Sequence, residues 1–197
     1  MDIALFDFDG TITHCDTFTP FVKSAVPRSR KLFGQFFLAP LIIGHRYGLV
    51  SSSHVRQKVI QVGFKGLAAS TLAELGHQYA DSFIPKVLRP QAVERLKWHK
   101  ERGDRILIVS ASLKVYLDPW CKAMGFEVCG VNLEEKCGRL TGRYTGGDCT
   151  AGKKADRIRA VANLDEYEHV YAYGDTVEDT EMLALADTRY FNWERVS

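Results

Sequence analysis

Two aspartates, Asp7 and Asp9, lie one residue apart at the end of the apolar run 3–6 (IALF). The run carries no charge, which predicts a buried strand, and Gly10 permits a sharp turn after it. Carboxylates at the end of a buried strand can attack an electrophile, bind a hard cation or transfer a proton. The alternative is an acidic turn, because Asp and Gly are ordinary turn residues. The D-x-D-G-T pattern that ends at Thr11 is uncommon behind such a strand and favours a chemical role.

Other polar side chains follow two later apolar runs or begin a predicted helix. They are Ser110, the pair Lys153 and Lys154, Asp175 and Asp179. Each one alone has an ordinary interpretation as a turn residue, a helix cap or a solvated charge. In an open parallel sheet, however, ligands bind beyond the carboxyl ends of the strands. We therefore expect these groups to meet Asp7 and Asp9 at one edge of a sheet.

This set of groups suits phosphoryl transfer. A carboxylate can attack phosphorus and form an acyl-phosphate, which divides one difficult step into two. Because the carboxylate and the phosphate are both negative, a cation must lie between them, and hard oxygen ligands suit Mg²⁺. Ser110 can donate to a phosphate oxygen beside backbone N–H groups, and a lysine can neutralise negative charge. Asp9 can give a proton to the leaving oxygen and later take one from water.

The elements that position these groups fall into two blocks. Residues 12–85 contain helical patterns and no further strand; the helices are predicted at 17–26, 28–43, 53–61 and 69–83. From residue 90 onward, helices alternate with apolar strands predicted at 105–109, 126–133, 170–173 and 189–192, with a hairpin at 140–145. This order predicts an α/β fold in which a Rossmann-like parallel sheet core carries a small helical cap inserted after the first strand. The predicted core domain is 1–14 and 86–197, and the predicted cap is 15–85.

Composition limits the class of protein. The 197 residues are 46% hydrophobic and 25% charged, with a net charge of +2, so no strong positive field indicates nucleic acid as a partner. The chain has five cysteines, an odd number, and no C-x-x-C motif. This pattern argues against a disulfide framework or a zinc site and favours a reducing compartment. No basic segment followed by an apolar segment precedes the first strand, so we predict a cytoplasmic location.

The segment 32–44 (LFGQFFLAPLIIG) is strongly apolar. It is too short to span a bilayer, which needs about 20 apolar residues, and it contains Gln35 and Pro40. We predict a buried helix of the cap. The alternative is a surface that meets lipid or an apolar substrate, with peripheral membrane contact and no transmembrane segment.

Four stretches, FDFDGTIT, IVSAS, GKKADRI and YAYGDTVEDTEML, occur in this order over nearly the whole chain. They resemble the first to fourth motifs of the haloacid dehalogenase superfamily, in the subfamily IB branch of phosphoserine-phosphatase-like hydrolases. The helices after the first motif are similar to the small helical cap of that branch. The resemblance implies a phosphatase that hydrolyses phosphomonoesters with Mg²⁺ through an aspartyl-phosphate.

The resemblance also implies roles for single residues. Asp7 would be the nucleophile and a metal ligand, and Asp9 the general acid/base, with its backbone carbonyl on the metal. Asp175 would be a further metal ligand, and Asp179 would hold a metal-bound water or the lysine. The phosphate would be bound by Ser110 and the N–H of Ala111, and Gly10 and Thr11 would also bind the phosphate or the substrate. Lys153 matches the lysine of the third motif better than its neighbour Lys154.

The substrate is predicted from the cap. Phosphoserine phosphatases carry a glutamate where this chain has Asp16, and a cap arginine for which Arg56 is the candidate; Glu178 is a further candidate contact. The SAS of the second motif replaces a serine followed by glycines, and the segment 32–44 is unlike a cap for a small amino acid. We therefore expect a small phosphorylated substrate, with a lipid or amphipathic phosphomonoester such as phosphatidylglycerophosphate as an alternative to phosphoserine.

Two other functions fit parts of the pattern. A phosphotransferase or mutase would use the same nucleophile, although the presence of Asp9 favours hydrolysis. A silent phosphate-binding or lipid-surface module would need neither Asp7 nor Asp9, and both are present.

Overall fold

A computed structural model describes residues 1–146 and 152–196 and contains a seven-stranded sheet. The strands are β1 (Ile3–Phe6), β2 (Arg105–Leu113), β3 (Glu127–Lys136), β4 (Arg139–Thr145), β5 (Val170–Gly174), β6 (Thr188–Phe191) and β7 (Glu194–Val196). Their order across the sheet is β4-β3-β2-β1-β5-β6-β7. The edge strands β4 and β7 are antiparallel to their neighbours, and the other pairs are parallel. The predicted α/β class with a parallel core sheet is confirmed.

Helices follow most of the strands along the chain and fill the interval between β1 and β2. They are α1 (Phe18–Ala25), α2 (Arg28–Arg46), α3 (Ser52–Phe64), α4 (Ala69–Ser82), α5 (Ile84–Val87), α6 (Pro90–Arg102), α7 (Lys114–Met124), α8 (Gly152–Val161) and α9 (Thr180–Leu183). Short 3-10 turns occupy Leu164–Glu166 and Val177–Asp179. Within the described ranges, no helix is both long and apolar enough to cross a membrane.

The central strand β1 is buried along its whole length. Phe6 lies level with Ile108 of β2 and Tyr173 of β5, and its ring stacks on Tyr173 with 4.2 Å between centroids. The residues that follow these three positions therefore lie toward the same edge of the sheet. Asp7 follows Phe6 directly, and its backbone N–H donates to the Tyr173 carbonyl at 2.9 Å.

The helices between β1 and β2 contact the rest of the chain in two ways. Helix α4 packs on α7 so closely that a Cβ on Gly76 would meet the carbonyl oxygen of Val115. Helix α3 lies on β4, where a Cβ on Gly142 would be 3.1 Å from the Cα of Gln61. The proposed cap boundary after residue 85 falls inside α5, and the division into two domains stays a prediction.

Three local predictions differ from the structure. Strand β2 continues to Leu113, four residues beyond the predicted end, so the SAS stretch is extended backbone. The helix expected between β5 and β6 is a 3-10 turn followed by the four-residue α9, and β7 was not predicted. The expected burial of segment 32–44 is wrong for Leu32, Phe36 and Ile43, which lie on an exposed face of α2.

Candidate active site

Asp7, Lys154 and Asp179 form a buried cluster at the carboxyl edge of the sheet. The Lys154 ammonium group donates to carboxylate oxygens of both Asp7 and Asp179, with an Nζ–Oδ1 distance of 2.6 Å to Asp179. The three side chains come from the end of β1, the first turn of α8 and the turn before α9. Three groups far apart in sequence therefore meet because the parallel strands end together.

Lys154, and not the predicted Lys153, contacts Asp7 and Asp179 in the structure. Lys153 is exposed, whereas Lys154 is buried on the face of α8 that also carries Ile158. Residues four apart share a helix face, so the apolar Ile158 already indicates which lysine points inward. The sequence contained this signal, but the motif comparison favoured the other lysine of the pair.

Burial controls the ionisation of this cluster. Removal from water raises the pKa of Asp7 to about 7, the ammonium group of Lys154 opposes that rise, and the Asp179 carboxylate adds to it. Burial alone would lower the pKa of Lys154, but the two carboxylates raise it above its ordinary value, so the lysine stays charged. A further cation beside Asp7 would keep its carboxylate ionised, which is the state needed for attack.

Asp7, Asp175 and Asp179 can hold a metal ion. One carboxylate oxygen from each lies within 4.8 Å of the other two. Lys154 contacts two of these three acidic groups, so the cluster carries more negative charge than this lysine neutralises. Oxygen ligands and surplus negative charge fit a hard divalent cation such as Mg²⁺. The Asp9 side chain lies outside this group, which leaves its backbone carbonyl as its predicted link to a metal.

Asp9 is held by hydrogen bonds on both carboxylate oxygens. Thr17 donates to Oδ1 from its backbone N–H at 2.7 Å and from its hydroxyl at 2.5 Å, and the Ser112 hydroxyl donates to Oδ2. Burial raises the pKa of Asp9, while these two donors lower it. The side chain is therefore fixed in direction, as a group that transfers protons at one position must be. Neither Thr17 nor Ser112 was predicted from the sequence, because a threonine or serine at a helix start or strand end is common.

The turn after β1 fits closely around Asp175. Gly10 has φ +93°, and a Cβ there would collide with the Asp175 carboxylate. Thr11 donates from its hydroxyl to Asp175 Oδ1 at 3.0 Å, and Arg89 donates from Nε to the Gly10 carbonyl at 2.9 Å. Burial raises the pKa of Asp175, which the Thr11 hydrogen bond opposes. The predicted site residues Gly10 and Thr11 thus position a carboxylate of the acidic group.

Asp179 also orders the loop that carries Asp175. Its Oδ2 accepts hydrogen bonds from the backbone N–H groups of Asp175 at 3.1 Å and Thr176 at 3.0 Å, and from the Thr176 hydroxyl. Its other oxygen accepts from Lys154. One fully buried carboxylate therefore joins the loop after β5 to the helix α8.

Ser110 and Ala111 lie on β2 at the same edge of the sheet. Ser110 is buried, and its hydroxyl oxygen accepts from the Ser112 N–H at 3.0 Å, which leaves its own O–H to donate. The Ala111 carbonyl accepts from Arg56 at 3.3 Å. Phosphate binding by these two residues stays a prediction.

The three candidate substrate contacts lie where α3 approaches the site. Arg56 of α3 pairs with Asp16 at 3.5 Å, and its guanidinium group lies 4.9 Å from the centre of the Phe18 ring. Asp16 also accepts from the first N–H groups of α1, so it has a helix-capping role as well. Glu178 is exposed and accepts from the Ser52 hydroxyl at 3.1 Å. Their role in substrate binding is untested.

An apolar groove of about 570 Å³ is lined by residues of α1, α2 and α3, together with Asp16. Its apolar lining includes Phe18, Val22, Leu38, Ile42, Val55 and Val59, and its basic lining residues are Lys23, Arg30, Lys31 and Arg56. The groove was not predicted, because it depends on how three helices pack.

Comparison with known proteins identifies the family. The model of haloacid dehalogenase-like hydrolases matches residues 4–184. The chain belongs to this family. It is 33% identical over 195 residues to Protein CicA of Caulobacter vibrioides, with 95% of this chain and 84% of that protein covered.

Several solved structures are similar to this protein over nearly the whole chain. A protein of unknown function from Bordetella pertussis Tohama I has a TM-score of 0.79 at 20% identity, covering 96% of this chain and 89% of that one. A probable phosphoserine phosphatase from Vibrio cholerae has a TM-score of 0.70 at 18% identity, covering 96% and 55%. The predicted membership of the haloacid dehalogenase family is confirmed, and phosphoserine phosphatases are among the solved structures that share its fold.

Proposed function

We propose that this protein is a Mg²⁺-dependent phosphatase that works through an aspartyl-phosphate on Asp7, with Asp9 as general acid/base. The observation that supports this most is that Asp7, Lys154 and two further aspartates meet at one edge of the sheet. Asp9, two residues after Asp7, is held in place by hydrogen bonds. Family membership fits the same chemistry.

The protein groups act in two steps. An Asp7 oxygen attacks phosphorus and forms an acyl-phosphate bond while the bond to the leaving oxygen breaks, and Asp9 gives that oxygen a proton. Water then attacks the same phosphorus as Asp9 removes a proton from it. The bond to Asp7 breaks, and phosphate is released with Asp7 and Asp9 restored. Lys154 neutralises negative charge, and Ser110 donates a hydrogen bond to a phosphate oxygen.

When bound, Mg²⁺ would supply positive charge that reduces the repulsion between the phosphate and the nucleophile. Its proposed ligands are Asp7, Asp175, Asp179 and the Asp9 carbonyl. Removal of the metal should therefore stop turnover and leave the fold intact.

We further propose that the substrate is an amphipathic phosphomonoester rather than phosphoserine. The apolar groove supports this, because Asp16 and Arg56 belong to its lining, Arg56 also donates to the Ala111 carbonyl on β2, and its volume is large for a serine side chain. A phosphate at the strand edge would place an attached apolar chain within reach of Phe18 and Val22.

The experiment is phosphate release from a panel of phosphomonoesters, with Mg²⁺ and with chelator. The panel contains phosphoserine, sugar phosphates, nucleotides and phosphatidylglycerophosphate, and the Asp7→Asn variant is the control for contaminating activity. We expect chelator-sensitive release, greatest for the lipid phosphate. Release from phosphoserine alone would contradict the amphipathic substrate and leave the hydrolase proposal standing. Turnover by Asp7→Asn equal to wild type would contradict the mechanism.

A groove variant tests the substrate class separately. Val59 lines the groove, so Val59→Trp should lower kcat/KM for a long-chain phosphomonoester and leave a short water-soluble one unchanged. Val93→Trp, at an exposed valine of α6, is the matched control. An equal loss with both esters would contradict binding of the chain in the groove.

Two remaining assignments are part of this proposal. We propose water as the phosphoryl acceptor, because Asp9 is present to activate it; formation of a phosphorylated product other than phosphate would indicate a transferase. We propose a reducing, cytoplasmic compartment, which the free thiols of Cys15, Cys121 and Cys137 support.

A further inference from the structure

Helix α2 carries an exposed apolar stripe. Leu32, Phe36, Ala39 and Ile43 are spaced by four, three and four residues and therefore lie on one face of the helix. The Phe36 side chain is 83% exposed, and Leu32 and Ile43 are also exposed. From Leu32 to Ile43 the stripe is about 17 Å long, estimated from 1.5 Å per residue. An apolar row of this length is unusual on a water-facing surface.

The stripe continues past the end of α2 and is distinct from the groove. Tyr47 and Leu49 follow the helix, and Leu49 is 82% exposed. The groove instead uses another face of α2, from which Leu38 and Ile42 approach α3. Helix α2 thus has one apolar side toward the groove and another toward solvent. Single exposed apolar residues are ordinary, but a continuous set indicates an interaction surface.

The segment of the chain that contains the stripe has charged residues of one sign. Residues 17–73 contain no Asp or Glu, although the chain has 24 acidic residues. The same segment contains the basic residues Lys23, Arg28, Arg30, Lys31, Arg46, Arg56, Lys58 and Lys65. Arg28 and Arg46 are exposed at the two ends of α2. The segment 17–73 is therefore strongly basic, although the net charge of the whole chain is only +2.

We propose that the exposed face of α2, with Tyr47 and Leu49, docks the protein reversibly on an anionic lipid bilayer. An interfacial helix of this kind lies in the membrane plane, with its apolar row at the boundary between headgroups and acyl chains and its cations among the anionic headgroups. Charge complementarity selects this partner, because the stripe is apolar and exposed arginines, Arg28 and Arg46, lie at the two ends of its helix. A nucleic acid would use the cations and have no use for a row of Leu, Phe and Ile. The proposal goes beyond the hydrolase function and does not depend on it.

The test is co-sedimentation of the full chain with vesicles. One set consists of phosphatidylcholine alone, and the other of equimolar phosphatidylcholine and phosphatidylglycerol. We expect binding to the anionic vesicles that falls as salt is raised, with much weaker binding to phosphatidylcholine alone.

Two pairs of variants separate the apolar and the ionic parts. Phe36→Gln with Leu49→Gln should reduce the vesicle-bound fraction at least tenfold, and Val161→Gln, at an exposed valine of α8, is the control. Arg28→Gln with Arg46→Gln should remove most of the preference for anionic vesicles. Lys86→Gln with Lys122→Gln, at exposed lysines outside the basic segment, is its control. All these side chains are exposed, so thermal unfolding and turnover of a water-soluble ester should match wild type.

The outcomes are decisive in either direction. Absence of vesicle binding by folded protein would overturn the proposal, and so would binding that neither variant pair reduces. Equal binding to both vesicle compositions would overturn the anionic partner. Concentration-dependent self-association that Phe36→Gln removes, without vesicle binding, would assign the stripe to a second copy of this chain instead.

Discussion

Lys154 and Asp179 form a buried ion pair, with 2.6 Å between the ammonium nitrogen and a carboxylate oxygen, and the same ammonium group also contacts Asp7. One cation therefore links the proposed nucleophile to the carboxylate that orders the loop of Asp175. The arrangement holds two acidic side chains close together before substrate arrives. It also explains how a carboxylate can be placed where a phosphate must approach.

The two adjacent lysines should differ sharply when they are replaced. Lys154→Met should lower kcat by about 10²- to 10³-fold, by analogy with the loss of one charge-stabilising donor. The same change should destabilise the metal-free fold, because it leaves two buried carboxylates without their cation. Lys153→Met, at an exposed position, should retain turnover near wild type. Steady-state kinetics and thermal unfolding of both variants measure the difference, and equal losses would contradict the assignment of Lys154.

Ser112 should act through Asp9. Ser112→Ala removes the donor to Asp9 Oδ2 while Thr17 still holds Oδ1, so the carboxyl gains freedom to turn. We expect kcat to fall by about tenfold to a hundredfold, since small misplacements of a reacting group cost this much, with KM little changed. Ser112→Thr keeps the hydroxyl and should restore part of the rate. A purely structural role would instead lower stability and give no selective recovery with threonine.

Gly10 should be needed for metal binding. In Gly10→Ala, the new methyl group would collide with the Asp175 carboxylate, so that side chain must move out of the acidic group. The expected result is a large increase in the Mg²⁺ concentration required for half-maximal turnover. Gly138→Ala is the matched control, because Gly138 also has a positive φ of +74° but a Cβ there meets nothing within 4 Å. Both variants should lose about 1–2 kcal/mol of unfolding free energy from backbone strain, and Gly10→Ala alone should change the metal requirement.

His99 should make stability fall in acid. Its ring is fully buried between Asp104, at 2.8 Å from Nδ1, and the Tyr173 hydroxyl, at 2.9 Å from Nε2, and burial lowers its pKa. The unfolded chain therefore takes up a proton near the ordinary histidine pKa of about 6.5, before the folded chain does. Stability contributed by the neutral ring is present above that pH and is lost as the pH falls below it, with a slope of at most about 1.4 kcal/mol per pH unit.

Urea unfolding at several pH values measures this effect. The wild type should lose stability more steeply below that pH than His99→Gln, which cannot take up the proton. Parallel slopes for the two proteins would show that other groups cause the acid sensitivity.

The sequence was sufficient to predict the fold and the gathering of acidic groups, because alternating strands and helices place strand ends at one edge. It failed where side-chain direction mattered. The choice between Lys153 and Lys154 depended on the phase of one helix, and Ile158 carried the information. The roles of Thr17 and Ser112 could not be predicted, because their contacts with Asp9 join a helix start and a strand that are distant in sequence. The exposure of Phe36 could not be predicted, because it depends on which faces of α2 pack against other helices.

The most direct measurement is chemical trapping of the acyl-phosphate. Wild-type protein is mixed with Mg²⁺ and p-nitrophenyl phosphate, quenched with borohydride, which reduces an acyl-phosphate to an alcohol, and digested for mass spectrometry. We predict that residue 7 is converted from aspartate to homoserine, and that omission of the ester or addition of chelator prevents this. Turnover without conversion at Asp7, or conversion at another carboxylate, would contradict the proposed nucleophile.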